Sequence, residues 1–496
     1  MAALAITGIF LLLGCPISAE AGALPDRMPG DIPPQRVILT VVYDNVPYRH
    51  DLRAALGFAC VLETPERTVL FDTGEDGELL ASNMRKLGFG PADIDTVFIS
   101  HKHGDHCGGL MSFLNHNAQV DLYVPRGFLH KYTRPARRMG ASVHILREPT
   151  RIGPNLYSTG PFTAREREQS LIVDTADGLV VLTGCSHPGV SRIVRAARQQ
   201  TGRPVRLVVG GFHLADAEPE EIRRIADELH DAGVEFVAPS HCTGERATGI
   251  LREAFGNRCI SSGPGRRLDS ELLGTIAGVY AGPGATRAEG LTAALERAGI
   301  RHRPLDAEDV RRGDFKGCSL VVMPGGRTAE MLEGLADEGL QNIQNLVQQG
   351  GGYVGICAGA YVAAPRVEIP GRPPGLGLLE IENRRRAGQG ERTVTLTSPD
   401  QPLADDCPEA VRLWWENGPA IGASENVQVV GRYEDGTAAI VCGRYGEGKV
   451  VLFGPHPEGR TGEEGGADES GAAGLLRNAV GFAGGSAAEA NAASGR

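Results

Sequence analysis

The sequence predicts an α/β protein in two parts, an αββα sandwich followed by a doubly wound parallel sheet. Three observations carry this. At 496 residues the chain is too long for one ordinary hydrophobic core. As far as Cys242 it shows strands first in hairpins and then alternating with helices, which suits two packed sheets covered by helices. From Ile276 short apolar strands alternate with amphipathic helices, the pattern of a parallel sheet with both faces covered. The expected layout is a leader over 1–23, a first domain over 36–275, a second over 276–485 and a disordered tail over 486–496.

In chain order, "RVILTVVYDN" alternates and β-branches like a strand, and "ACVLET" and "TVLFDTG" follow as strands closed by turn residues. "DGELLASNMRKLGF" has helical periodicity, and "IDTVFIS" reads as a buried strand running into His101. "SLIVDT" and "LVVLTGC" pair across Ala176-Asp177-Gly178. "VSRIVRAARQQTG", "RLVVGGFH", "EEIRRIADELHDAG" and "EFVAPSHC" then alternate helix and strand. The stretch 262–275, with "SGPGRR", reads as the inter-domain connection. In the second part "TIAGVYAG", "AEGLTAALERAG", "SLVVMPGG", "LQNIQNLVQQGG" and "YVGICAGAYVAA" repeat the alternation. "EGRTGEEGGADESGAAG" after Pro455 is expected to be a flexible loop.

Composition narrows the partners. The chain holds 50 basic and 61 acidic residues for a net charge of −11, and no long basic run offsets it. That argues against a nucleic-acid backbone as main partner and for a small-molecule substrate. The pair Arg137-Arg138 and the run 384–386 read as solvated surface. Leu4 to Leu13 form an apolar stretch too short to span a bilayer, with small-x-small sites at 19–21 and 21–23. This predicts export to the periplasm, or a lipid anchor at Cys15 in "LLGC". The lack of Lys or Arg before the apolar core leaves a cytoplasmic protein as the alternative. No later segment reads as membrane-spanning. The ten cysteines are scattered and predict no disulfide framework.

The strongest chemical signal is "HKHGDH". A tight loop at a strand end turns His101, His103, Asp105 and His106 towards one point. Imidazole and carboxylate donors suit zinc first, with iron or manganese as alternatives, ahead of calcium or magnesium.

These residues fill the H-x-H-x-D-H motif, and the chain from 36 to 261 resembles the metallo-β-lactamase superfamily. "LTVVYDN", "LFDTG", "SHKHGDHCGG", "LTGCSHPGV", "GGFHL" and "SHCTG" resemble the branch named for a dihydropterin–ribofuranosylaminobenzene phosphate synthase. The resemblance implies two divalent ions, one held by His101 and His103, the other by Asp105 and His106. It implies His241 as the last ligand, and His187 is taken as the remaining histidine. The latter is a departure, because most relatives carry that histidine earlier, where this chain has only 165–169. Cys185 stands where many relatives have a bridging Asp, and reads either as a thiolate ligand or as a small buried residue. His213 is a possible contact to substrate or metal, or a packed structural residue. Asp72 is expected to orient a ligand histidine through its other ring nitrogen. His116, His130, His144 and His230 lack motif context and are expected on the surface. The implied chemistry is attack by an activated water on an ester, lactone, amide or phosphoester, with Asp105 orienting that water or taking its proton. The alternatives are a pterin or aminobenzoate-type transferase, or a binding protein with a degenerate second site.

In the second half, "GGYVGICAGAYVA" sets Cys357 between a β-run and an apolar helix, with Gly355 and Gly359 permitting a sharp turn. A helix N-terminus favours a thiolate there. "VVLFGPHPEG" brings His456 and Glu458 from another strand end, and "VVMPGG" offers backbone donors for an oxyanion. Residues 276–483 resemble the class I glutamine amidotransferase-like, flavodoxin-like fold, specifically the N-terminal domain of biotin-protein ligases. The Cys357–His456–Glu458 triad matches the amidotransferase pattern, although neither a synthetase nor a biotin-ligase catalytic domain is attached. A structural cysteine in a binding domain is the competing reading.

Overall fold

Alternation along the early strands decides the architecture. In Phe58–Glu63, the side chains of Phe58, Cys60 and Leu62 enter one core while Ala59 and Val61 enter another. Gly178–Thr183 does the same, with Val180 and Leu182 on one side and Leu179 and Val181 on the other. Strands buried on both faces require a layer above and a layer below.

The computed structural model describes residues 33–34, 36–163, 166–366, 374–397, 402–405, 407–459 and 469–485. The expected leader over 1–23 with Cys15, the tail 486–496 and most of the loop expected after Pro455 lie outside these. That loop is shorter than expected, because helix Glu469–Gly484 already covers its "ESGAAG" end.

A seven-stranded sheet runs, in spatial order, Arg267–Asp269, Ile38–Asp44, Phe58–Glu63, Thr68–Phe71, Thr96–Phe98, Asp121–Pro125, Ser142–Leu146. A six-stranded sheet runs Phe236–Ser240, Val205–Gly211, Gly178–Thr183, Leu171–Thr175, Leu156–Ser158, Thr150–Gly153. Leu39, Phe58, Phe71 and Phe98 of the first meet Leu171, Val180, Leu207 and Val209 of the second in one core. Helices Gly77–Lys86 and Leu110–His116 cover the first sheet's outer face, and Val190–Thr201, Pro219–Asp231 and Glu245–Phe255 cover the second's. This is the αββα sandwich.

The stretch 262–275 is not the plain connection that its composition suggested. Its Arg267–Asp269 segment pairs antiparallel with Ile38–Asp44 as the edge of the first sheet. Three residues later the chain divides its loyalties: Leu273 packs in the sandwich core and Leu272 in the core of the second half. Pieces spanning 36–275 and 276–496 are expected to fold separately, each having its own core. The second piece then lacks Leu272, whose burial is worth about 1.5–3 kcal/mol. A version started at Asp269 should therefore melt higher than one started at Ile276 in a circular-dichroism scan. If either half is unfolded alone while the whole chain is folded, the modular picture fails.

The second half carries an eleven-stranded sheet. His302–Leu305, Ala277–Tyr280, Leu320–Met323, Gly352–Ile356 and Gly448–Phe453 are parallel neighbours in that order, the expected doubly wound part. An antiparallel extension continues from Gly448–Phe453 through Ala438–Tyr445, Gln428–Tyr433, Gln389–Leu396 and Ala410–Glu416. The doubly wound parallel part is as expected, and the antiparallel extension is added to it. No helix among the described residues is long and apolar enough to cross a membrane.

Candidate functional site

Strand ends gather the first site. Buried Ile99 and Ser100 carry the chain from Thr96–Phe98 into His101, and the short helix Gly104–Cys107 turns Asp105 and His106 back over the sheet. Gly57 allows this close approach: a side chain there would meet the Asp105 carbonyl at 2.3 Å, and its φ is +130°. From the second sheet, Cys185 and His187 follow Gly178–Thr183, His213 follows Val205–Gly211, and His241 follows Phe236–Ser240. These three strands are parallel, so their carboxyl ends deliver all four residues to one edge.

The donor atoms of His101, His103 and His187 lie within 4.8 Å of one another, as do those of Asp105, His106, Cys185 and His241. Cys185 also groups with His187 and His213, so its sulfur lies between the two sets. His106 Nε2 is 3.2 Å from both His241 Nε2 and Cys185 Sγ, and His101 Nε2 is 3.1 Å from His103 Nδ1. Ring nitrogens turned on one another at such range are satisfied by a shared cation. The donors of this set, five imidazoles with a carboxylate and a thiol, fit divalent transition ions.

Four of the five ligand histidines are held from behind. Asp72 Oδ2 is 2.7 Å from His106 Nδ1 and also accepts from Ser100 Oγ at 2.6 Å. Ser100 Oγ in turn lies 2.9 Å from His101 Nδ1. Asn45 Oδ1 is 2.6 Å from His241 Nδ1, while buried Asp44 accepts from Ser240 Oγ and from the His241 N–H. Glu168, fully buried, is 2.8 Å from His187 Nδ1 and accepts from the N–H groups of Cys185, Ser186 and His187. Glu168, Ser100, Asp44 and Asn45 were missed in the sequence. Asp44, Asn45 and Ser100 lay inside quoted motifs, whereas Glu168 lies in the stretch 165–169 that was marked only for lacking the family histidine.

The electrostatics follow this arrangement. Burial, reinforced by neighbouring imidazoles, holds His101 well below its ordinary pKa, so it is a neutral donor. Burial opposes a charge on His106 as well, but Asp72 outweighs it and raises the pKa. Burial also works against the Asp105 carboxylate, yet its hydrogen bond to His241 and the charge of His106 pull it down to about 2. Cys242, the neighbour of His241 in "SHCTG", shares a hydrogen bond with Cys185 that draws Cys242 down and pushes Cys185 up. His213 is exposed at the mouth, and its ring lies 4.7 Å from that of His187. His116, His130 and His144 are exposed, while His230 stacks on Phe255 at 4.1 Å.

Backbone strain concentrates here. Of the nine non-glycine residues with positive φ among the described residues, Asp72, Ser186, His213 and His241 belong to this site.

The fifth such residue at a candidate site is Cys357, at φ 51° and ψ −100°, between strand Gly352–Ile356 and helix Ala358–Ala363. Gly359 makes the turn possible, since a side chain there would lie 2.2 Å from the Met323 carbonyl. His456 Nδ1 is 2.7 Å from Glu458 Oε1, both residues being buried. Burial resists a charge on His456, but Glu458 and the Cys357 thiol lying against the ring raise it to about 10. The thiol's aligned hydrogen bond goes instead to the Glu416 carbonyl at 3.4 Å, leaving His456 Nε2 without an aligned partner. Cys357 and His456 line a cavity of about 650 Å³ with Arg287, Asn383 and Glu416. The nine described cysteines are all free thiols.

Comparison with known proteins matches residues 53–308 to the model of the metallo-beta-lactamase superfamily, and 312–387 to that of the biotin-protein ligase N-terminal domain. The 7,8-dihydropterin-6-methyl-4-(β-D-ribofuranosyl)-aminobenzene-5′-phosphate synthase of Methanocaldococcus jannaschii is 26% identical over 267 residues, 44% of this chain and 91% of that one. The biotin–protein ligase of Schizosaccharomyces pombe is 30% identical over 162 residues, 28% of this chain but only 25% of the ligase. Among solved structures, Tm1679, a metal-dependent hydrolase of the beta-lactamase superfamily, is 28% identical. It covers 47% of this chain and 98% of its own, with a TM-score of 0.41.

Proposed function

Because the chain belongs to the metallo-β-lactamase superfamily, we propose that its first half is a dinuclear metal-dependent hydrolase of an ester, lactone, amide or phosphoester. The observation that supports this best is the meeting of His101, His103 and His187 beside Asp105, His106, Cys185 and His241 at one sheet edge. The first three would hold one ion and the latter four the other, with zinc the first expectation. When bound, such a pair supplies Lewis acidity and lowers the pKa of water to roughly 7. Asp105, ionised and 3.3 Å from His241 Nε2, would orient the attacking water. His213, exposed at the mouth beside His187, would contact the substrate. Asp72, Asn45 and Glu168 fix the ring orientation of His106, His241 and His187, so the donors do not rearrange during turnover.

A transferase acting on pterin or aminobenzoate-type substrates is the second reading, favoured by the match that spans 91% of the M. jannaschii synthase. Metal analysis of the purified full chain, followed by ester, lactone and phosphodiester substrates, separates the two. Hydrolysis that disappears on chelation and returns with zinc is the expected result. Metal-loaded protein inert towards every hydrolysable substrate would leave the transferase reading.

A further inference from the structure

The edge of the first sheet that presents the metal loop also presents an uncompensated row of cations. Thr96–Phe98, Asp121–Pro125 and Ser142–Leu146 are parallel neighbours, so their carboxyl ends lie side by side. His101 follows the first, Arg126 the second and Arg147 the third. The Arg126 N–H donates to the Leu146 carbonyl at 2.7 Å, which fixes the two arginine-bearing turns together. Helix His130–Met139 begins at the same edge, bringing Lys131 in its first turn. Tyr132 interacts with Cys107, the neighbour of His106, so this helix start lies against the metal loop.

Arg167 closes the row from the other side. A side chain at Gly127 would lie 2.8 Å from its guanidinium, so Arg167 spreads over the bare backbone after Arg126. Arg167 stands between Glu166, 3.7 Å from His103 Nε2, and Glu168, which holds His187. Arg126, Lys131, Arg147 and Arg167 are all exposed, and among the described residues none has a carboxylate at ion-pair distance. The acidic residues at this edge are Glu166, engaged by Lys102 at 3.0 Å, exposed Glu148, and the ligand candidate Asp105. From 122 to 147 the chain carries six Lys or Arg and no Asp or Glu, within a protein of net charge −11. Such segregation raises the local concentration of anions along the edge that carries the metal loop.

We infer that Arg126, Lys131, Arg147 and Arg167 form the recognition surface for a phosphate-bearing substrate, and so select phosphoesters among the substrates open to the metal centre. Guanidinium groups suit this role because their planar forks pair with phosphate oxygens. The inference rests on the hydrolytic reading, but its test reads binding without turnover.

The probe is a short fluorescent single-stranded oligonucleotide, titrated with the full chain at low and moderate salt, with pyrophosphate as competitor. Binding is expected to weaken steeply with salt. R126E/R147E should reduce affinity by about tenfold or more. R137E/R138E, at the far end of helix His130–Met139 from Lys131, should change it by less than about twofold. R126Q/R147Q serves if the reversal variant is unstable. Displacement by pyrophosphate assigns the surface to isolated phosphate groups, and resistance to it assigns the surface to a polymeric phosphate chain; both support the inference. No binding at low salt, or equal losses in the two double variants, overturns it. Loss of turnover with binding intact would instead count against the hydrolytic reading.

Discussion

His103→Ala is expected to leave a folded chain that no longer keeps its metal and has lost at least about 100-fold in hydrolytic rate. His103 is about one-third exposed and packs in no core cluster, so shortening it opens little cavity. What it does remove is one of the three imidazoles that converge with His101 and His187. An ion left with two protein donors at that position exchanges with solvent. Metal content after dialysis, circular dichroism and the hydrolysis rate check the prediction together. Wild-type protein that stays fully active after exhaustive chelation would sink the mechanism.

Cys357 is expected to react with iodoacetamide at least about tenfold faster than Cys318 and Cys442 in the same half. Burial pushes both comparison thiols to about 11, so roughly one part in 10⁴ of each is ionised at pH 7. Cys357 instead lines an open cavity beside an imidazole that stays protonated up to about pH 10. The charged ring lies against the sulfur in that cavity, and its removal in His456→Ala should erase the advantage. Mass-spectrometric mapping of the labelled cysteines reads all three sites at once. Labelling of Cys357 no faster than the others, and indifferent to His456, would leave a structural cysteine in a binding domain.

The metal loop was legible because its donors are neighbours in sequence and follow a buried strand. Glu168 was not, because its role exists only once 166–170 folds against the turn at 184–187; alone, "EREQS" is a polar loop. In the second half the strand–helix alternation gives way to a different signal. Ala410–Glu416 buries Val411, Leu413 and Trp415 while exposing Ala410 and Arg412, a clear period of two that marks an antiparallel strand. The helix expected over "LQNIQNLVQQGG" starts earlier, at Thr328, and absorbs a break at Ala336, whose φ is 52°. Propensity did not reveal that join, since Gly334 and Gly339 on either side lower the helical signal.

The supports behind the metal-site histidines bear on how the fold and the ion depend on each other. In small zinc modules the ligands are gathered by the metal, so ion and fold are lost together. Here Asp72, Asn45, Ser100 and Glu168 already fix the rings of His106, His241, His101 and His187, and two packed sheets hold the strained turns that carry them. The ordering entropy of the site is therefore met during folding, not at the moment of metal uptake. An ion entering such a site has little left to organise, which makes its release and reloading a local event in a chain that stays folded throughout.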